Sequence, residues 1–137
     1  MDRELIDLSK YRLEQAERCI RSARLLGDDD DFKGAANRSY YAIFHGMRSV
    51  LALERKDFAR HSGVSAYFRK TYIKTGVFPV EMSDYIREAF DIREESDYDD
   101  FYAISREEVI EQIENAEKFL NTVKDYLQGV YEELSSE

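Results

Sequence analysis

The sequence predicts an all-α protein, an antiparallel bundle of four main helices plus a shorter one, and three observations carry this. One proline and six glycines in 137 residues leave long stretches with nothing to break a helix. No segment reads as a strand or an internal repeat. Val109, Ile113, Ala116, Leu120, Val123, Leu127, Val130 and Leu134 follow one another at strict 4-3-4-3 spacing, which marks one long amphipathic helix. The length fits a single domain, residues 1–137, with a modest core.

The predicted helices follow in order. The first runs over about 2–26, with Leu13, Ala16, Ile20 and Ala23 as its buried stripe and Arg12, Arg18, Arg21 and Arg24 on its surface. Gly27 and the four aspartates at 28–31 end it. Those carboxylates cannot all reach one ion from a tight turn, so the run reads as a solvated turn whose last member, Asp31, caps the next helix. The second helix, 32–53 or 55, puts Tyr40, Ile43, Phe44, Met47, Val50 and Leu51 on a core face. A connector with Asp57 and Phe58 leads through His61-Ser62-Gly63 to a third helix over 64–75, with Tyr67, Phe68, Thr71 and Tyr72 available for packing. Gly76 reads as its C-cap and Pro79 as the first turn of a fourth helix. Met82, Ile86, Ala89 and Arg93 line the inner face of that helix, which ends near Glu95. An irregular acidic and aromatic segment spans 96–102, and Ser105 with Glu108 forms a capping box that opens the last helix.

Composition narrows the function classes. No apolar run approaches the ~20 residues of a membrane span, and the charged start, Met1-Asp2-Arg3-Glu4, has no signal-peptide pattern. A cytoplasmic protein is expected. Cys19 has no second cysteine to pair with and reads as a small core or boundary residue. The net charge of −9 is unevenly spread: residues 1–80 hold 15 Lys/Arg and 11 Asp/Glu, residues 81–137 hold 5 and 18. The N-terminal part is mildly basic, so the net charge does not exclude RNA as a partner.

Arg38 and His45 are the candidate catalytic pair. Seven residues apart on a helix, they return to within ~20° of each other, two turns or about 10 Å along the axis. Ala42, Ser49 and Ala52 share that side, and their small side chains predict close approach by a ligand or a second copy of the helix. An arginine offers forked donors matching two phosphate oxygens, and an imidazole moves protons near neutrality. Together they suit metal-free RNA cleavage, with histidine moving the proton of the 2′-hydroxyl or the leaving oxygen and arginine stabilising the phosphorane. Metal chemistry has less support. Two histidines and one cysteine give no His-x-x-x-His or paired-cysteine spacing, and Asp97, Asp99 and Asp100 lack a calcium-loop pattern. No metal and no cofactor is expected. His61 reads as a cap or boundary residue, or else as a second group contacting phosphate or base.

Three segments, Asn37-Arg38-Ser39-Tyr40-Tyr41-Ala42-Ile43-Phe44-His45, His61-Ser62-Gly63-Val64 and Arg93-Glu94-Glu95-Ser96-Asp97-Tyr98-Asp99-Asp100-Phe101, resemble the small stand-alone HEPN-domain proteins. The resemblance covers roughly residues 8–127. It implies an all-helical bundle that dimerises and a metal-independent endoribonuclease of the toxin–antitoxin type, with an Arg-x(4–6)-His motif in a cleft at the dimer interface. That motif falls on Arg38 and His45. Asn37, Ser39, Tyr41 and His61 are the residues expected to contact RNA or nucleotide. A minimal nucleotidyltransferase antitoxin is the implied partner. The alternative reading is a non-catalytic nucleotide- or substrate-binding partner of such an enzyme, and a third is a helical scaffold. The chain departs from the family pattern at Ser39, where active members often carry Asn, Asp or His. It departs again at Met47, where some relatives carry a tyrosine that is adenylylated.

Overall fold

The computed structural model describes residues 3–136. Five α-helices account for most of them: α1 (Arg3–Asp28), α2 (Phe32–Ala52), α3 (His61–Phe68), α4 (Glu81–Tyr98) and α5 (Arg106–Ser135). No strand occurs among the described residues. Asp2, the expected first residue of the first helix, and the rest of the Met1-Asp2 start lie outside them.

Helix α2 is the axis of the molecule and packs against α1, α3, α4 and α5. Its entry is fixed locally: the Asp31 side chain accepts from the Gly34 amide at 2.9 Å, the expected cap. The stripe Tyr40, Ile43, Phe44, Met47, Val50 and Leu51 is buried as the periodicity predicts. The α1 stripe Leu13, Ala16, Ile20 and Ala23 is buried too, and Cys19 lies with it. On α5, the positions from Val109 to Leu127 are buried, while Val130 and Leu134 are only partly covered near the helix end. The Ser105 capping box is present, with both reciprocal bonds formed.

Four expectations need correction. The small residues Ala42, Ser49 and Ala52 are buried inside the protomer and do not wait for a second copy. Helix α1 packs on α2 at this side, where the Ser9 hydroxyl, which also meets Tyr131 at 2.6 Å, donates to the Ser49 carbonyl at 2.7 Å. Arg12 is not a surface residue: it is 8% exposed, and its Nη1 donates to the Arg48 carbonyl at 3.2 Å. The third helix starts at His61, earlier than expected, and widens into a π-helical turn over Arg69–Ile73, closed by Lys74 N donating to Arg69 O. The wider turn coincides with burial of Phe68, Tyr72 and Ile73 around one bend, which a regular α-helix would rotate apart. Helix α4 continues to Tyr98, so Ser96 and Asp97 are helical, and Asp97 sits 3.2 Å from Arg93 one turn back. The irregular segment is confined to 99–105.

Candidate functional site

The site grows out of one stripe of α2. Arg38, Tyr41, His45 and Arg48 recur at spacings of three, four and three, so their side chains stack along one side of the helix. Helix α1 borders the stripe with Arg12 and Cys19. Helix α4 borders it with Arg93, and α3 with His61. Gly46 lets α5 come close beneath: a Cβ there would lie 2.8 Å from a Leu120 methyl and 3.4 Å from the Phe119 ring.

Arg38 is held by uncharged neighbours. Its Nε and Nη2 donate to Asn37 Oδ1 at 3.2 and 2.9 Å, and its guanidinium lies 5.1 Å from the centre of the Tyr41 ring. The remaining nitrogen, Nη1, donates to the Cys19 sulfur at 3.9 Å. Burial raises the Cys19 thiol's pKa, outweighing the pull of Arg38, so the sulfur stays a neutral, weak acceptor. Arg93 lies over the same Tyr41 ring at 5.3 Å and over Tyr40 at 4.9 Å. Arg48 lies over Phe44 at 5.7 Å and pairs with Asp57 at 2.9 Å; Asp57 also takes Arg12 at 3.4 Å. Arg12, Arg48 and Arg93 therefore each have a carboxylate partner, whereas Arg38 leans on an amide.

His45 is half-buried beside Tyr41 and Phe44, and its Nδ1 is sealed inside with no hydrogen-bond partner among the described residues. Burial, then the charges of Arg48, Arg38 and Arg12 and the nearby His61, push its pKa down from 6.5 to about 4. The ring is neutral at physiological pH, and with Nδ1 enclosed, Nε2 is the nitrogen left to meet a ligand. His61 packs its ring 4.1 Å from Phe44 and edge-on to Tyr41, and its Nδ1 is 3.0 Å from the Tyr40 hydroxyl. Burial raises the Tyr40 phenol to about 12, so it keeps its proton and is the natural donor to His61 Nδ1. That bond places the neutral imidazole's own proton on Nε2. Burial, Arg93 and Arg48 all lower the His61 pKa.

Of the residues singled out in the sequence, Arg38, Tyr41, His45 and His61 come together, and Asn37 joins them as the group that orients Arg38. Ser39 does not. It is buried, and its hydroxyl donates to the Ala35 carbonyl at 3.0 Å, so it offers a ligand nothing in this protomer. Arg12, Arg48 and Arg93 complete the cationic surround and were not read as site residues. One signal was available: Arg12 falls on the Ser9–Leu13–Ala16–Cys19 repeat, and a charge on a buried stripe calls for a reason. Among the described residues, no group of three His, Cys, Asp or Glu side chains converges as metal ligands would.

A cationic, aromatic stripe carrying a paired arginine and histidine on a five-helix bundle defines the class. The chain belongs to the HEPN-domain family, whose model matches residues 9–126. Among its relatives is the protein named "Putative toxin MJ0142" of Methanocaldococcus jannaschii, 33% identical over 115 residues, covering 84% of this chain and 78% of that protein. A UPF0332 protein of Thermotoga maritima is 30% identical over 121 residues, 88% of this chain and 92% of its own. A second M. jannaschii protein, "Putative toxin MJ0605", is 26% identical over 118 residues, covering 86% and 87%. Family and toxin-like kinship agree with the fold. Among the described residues, no helix is long and apolar enough to cross a membrane.

Proposed function

We propose that this protein is a metal-independent endoribonuclease of a toxin–antitoxin type system, acting as a homodimer and held in check by a nucleotidyltransferase partner. The observation that carries the reading is the placement of Arg38, with no carboxylate of its own, on one stripe with a neutral His45 whose Nε2 is left for a ligand. A phosphate is the group that both would meet.

In the proposed reaction, the 2′-oxygen attacks the adjacent phosphorus as its P–O2′ bond forms and the P–O5′ bond breaks. His45 moves the proton, taking it from the 2′-hydroxyl or handing one to the departing O5′. Arg38 stabilises the charge gathering on the phosphorane oxygens. The nucleophile is already bonded next to the phosphorus, so no activated water is needed. Burial is the larger cause of the low His45 pKa; a bound phosphate counters only the part due to the three guanidiniums, which makes the imidazole more basic when substrate is present. The stripe is half-buried and open on one side, which suits a cleft finished by a second copy. A wider hollow of about 380 Å³ between α1 and α5 lies elsewhere, among ion-paired Arg24, Glu117 and Lys124.

A second reading, nucleotide binding without turnover, is favoured by one observation. Among the described residues no acceptor holds His45 Nδ1, whereas a histidine acting as base is ordinarily oriented through that nitrogen. Incubating structured RNA with purified protein in EDTA, with His45→Ala alongside, separates the two. Cleavage by wild type alone supports the ribonuclease. RNA binding without cleavage supports the second reading. Light scattering that shows a monomer at micromolar concentration would count against the dimer.

A further inference from the structure

We infer that the cavity beside His61 is a nucleobase subsite, in which the base next to the bound phosphate is held and discriminated. The inference rests on the reading of Arg38 and His45 as a phosphate site. The cavity lies between α2, α3 and α4 and measures about 230 Å³. That is below the ~300 Å³ at which pockets begin to take drug-sized ligands, so it suits one flat ring and not a whole nucleotide.

Its construction fits an unsaturated heterocycle. Met47 and Ile86, both buried, line it with apolar surface. Tyr40 and Phe90 bring two aromatic rings to it, their centres 6.1 Å apart and their planes inclined by 58°. Tyr40 is buried and Phe90 is 39% exposed, so part of the Phe90 ring stays open to a stacking partner. The polar lining comes from hydroxyls and cations: Ser62, Ser65 and Arg87 reach it, and no carboxylate does. Such a lining favours a base that offers acceptors at its edge. Arg87 is tied to Asp84 at 3.0 Å, which steadies its guanidinium at the rim.

The cavity adjoins the cationic stripe across two shared residues. Tyr40 and His61, hydrogen-bonded to each other, line the cavity on one side. On the other, their rings contact Tyr41 and Phe44. Arg93, which lies over Tyr40 and Tyr41, is three residues on from Phe90 along α4, so phosphate-binding charge and stacking surface sit on adjacent turns. A strand whose phosphate meets Arg38 can turn one base past the Tyr40–His61 pair into the cavity. Single-stranded RNA is commonly read by such splayed, stacked bases.

The test uses inorganic phosphate and the four ribonucleosides, each as its 3′- and its 5′-monophosphate, titrated into the full chain by NMR. The expected result is unequal affinities among the four bases, with amide shifts at Phe90 and Ser62 as well as at Arg38. Phe90→Ala should weaken the preferred nucleotide roughly fivefold or more, the lower end of what a stacked aromatic contributes, and level the four. Inorganic phosphate should bind Phe90→Ala as it binds wild type. Ser65→Phe fills the cavity without removing its wall and should have the same effect by the opposite route. If both variants leave all affinities unchanged while Arg38→Ala lowers them together, the phosphate site stands and the base subsite is wrong. If wild type binds neither phosphate nor any nucleotide and cuts no RNA, the underlying reading falls and takes the subsite with it.

Discussion

Two polar clusters flank α2, and they are finished differently. Near its C-terminal end, both oxygens of Glu54 are occupied: Tyr67 donates to Oε1 at 2.9 Å and Tyr72 donates to Oε2. Burial and then the Glu54 hydrogen bond raise the Tyr72 pKa; for Tyr67 the hydrogen bond comes first. Every group there has an answer. Around Arg38 and His45 the same ingredients, aromatic rings and charges, leave an imidazole nitrogen unmatched and an arginine on an amide. A buried polar atom without a partner carries a cost that packing elsewhere must offset. The closed cluster is what a purely structural role produces, and the open one is what a binding role produces.

The largest expected effect separates the two clusters by activity. His45→Ala should lower RNA cleavage by about 10²-fold or more, within the range of a general acid–base group. It should melt close to wild type, because truncation removes an unsatisfied nitrogen. Arg38→Lys should rescue little of what Arg38→Ala loses, since an ammonium cannot present a planar fork. Phe44→Ala, one residue away but fully in the core, should instead cost about 3 kcal/mol or more in stability. Thermal denaturation of the pair sharpens the contrast, and a His45→Ala protein melting as badly as Phe44→Ala would erase it.

The closed cluster should respond the other way round. Tyr72→Phe removes one donor from a partly solvated carboxylate and should cost about 1 kcal/mol, an ordinary hydrogen bond's net worth. Cleavage should be unaffected. Equal activity losses at Tyr72 and His45 would show that the two regions do not differ in kind.

A smaller effect concerns pH. The His45 pKa is lowered in the folded chain, so its contribution to stability is complete above the ordinary value of 6.5 and declines as pH falls toward about 4. Replacing it with Gln should flatten that part of the pH–stability curve. Chemical denaturation at pH 7 and pH 4.5 measures the difference between the two proteins.

Much of this was legible in the sequence, and the gaps have physical causes. Helix order, the α2 core stripe, the Asp31 cap and the Ser105 capping box follow from local rules, and local rules held. The pairing of Arg38 with His45 on one side follows from helix geometry alone. What covers that side does not: Ala42, Ser49 and Ala52 permit close packing but do not name the helix that packs, and it is α1. Arg48 and Arg93 reach the site from spacings that only tertiary contact makes meaningful. Ser39 looked available because it neighbours Arg38, but one residue's step turns a side chain by about 100° around a helix, and that turn puts it inside.

In the proposed reaction Arg38 and His45 work on an RNA phosphate with the 2′-hydroxyl as nucleophile. End-group analysis of a labelled RNA cut in excess EDTA tests it most directly, beside the same RNA carrying one 2′-deoxyribose at the scissile position. The expected outcome is a 2′,3′-cyclic phosphate terminus and resistance of the deoxy substrate. Equal cutting of the deoxy substrate, or activity that chelation abolishes and magnesium restores, would contradict the claim even if Arg38 proved essential.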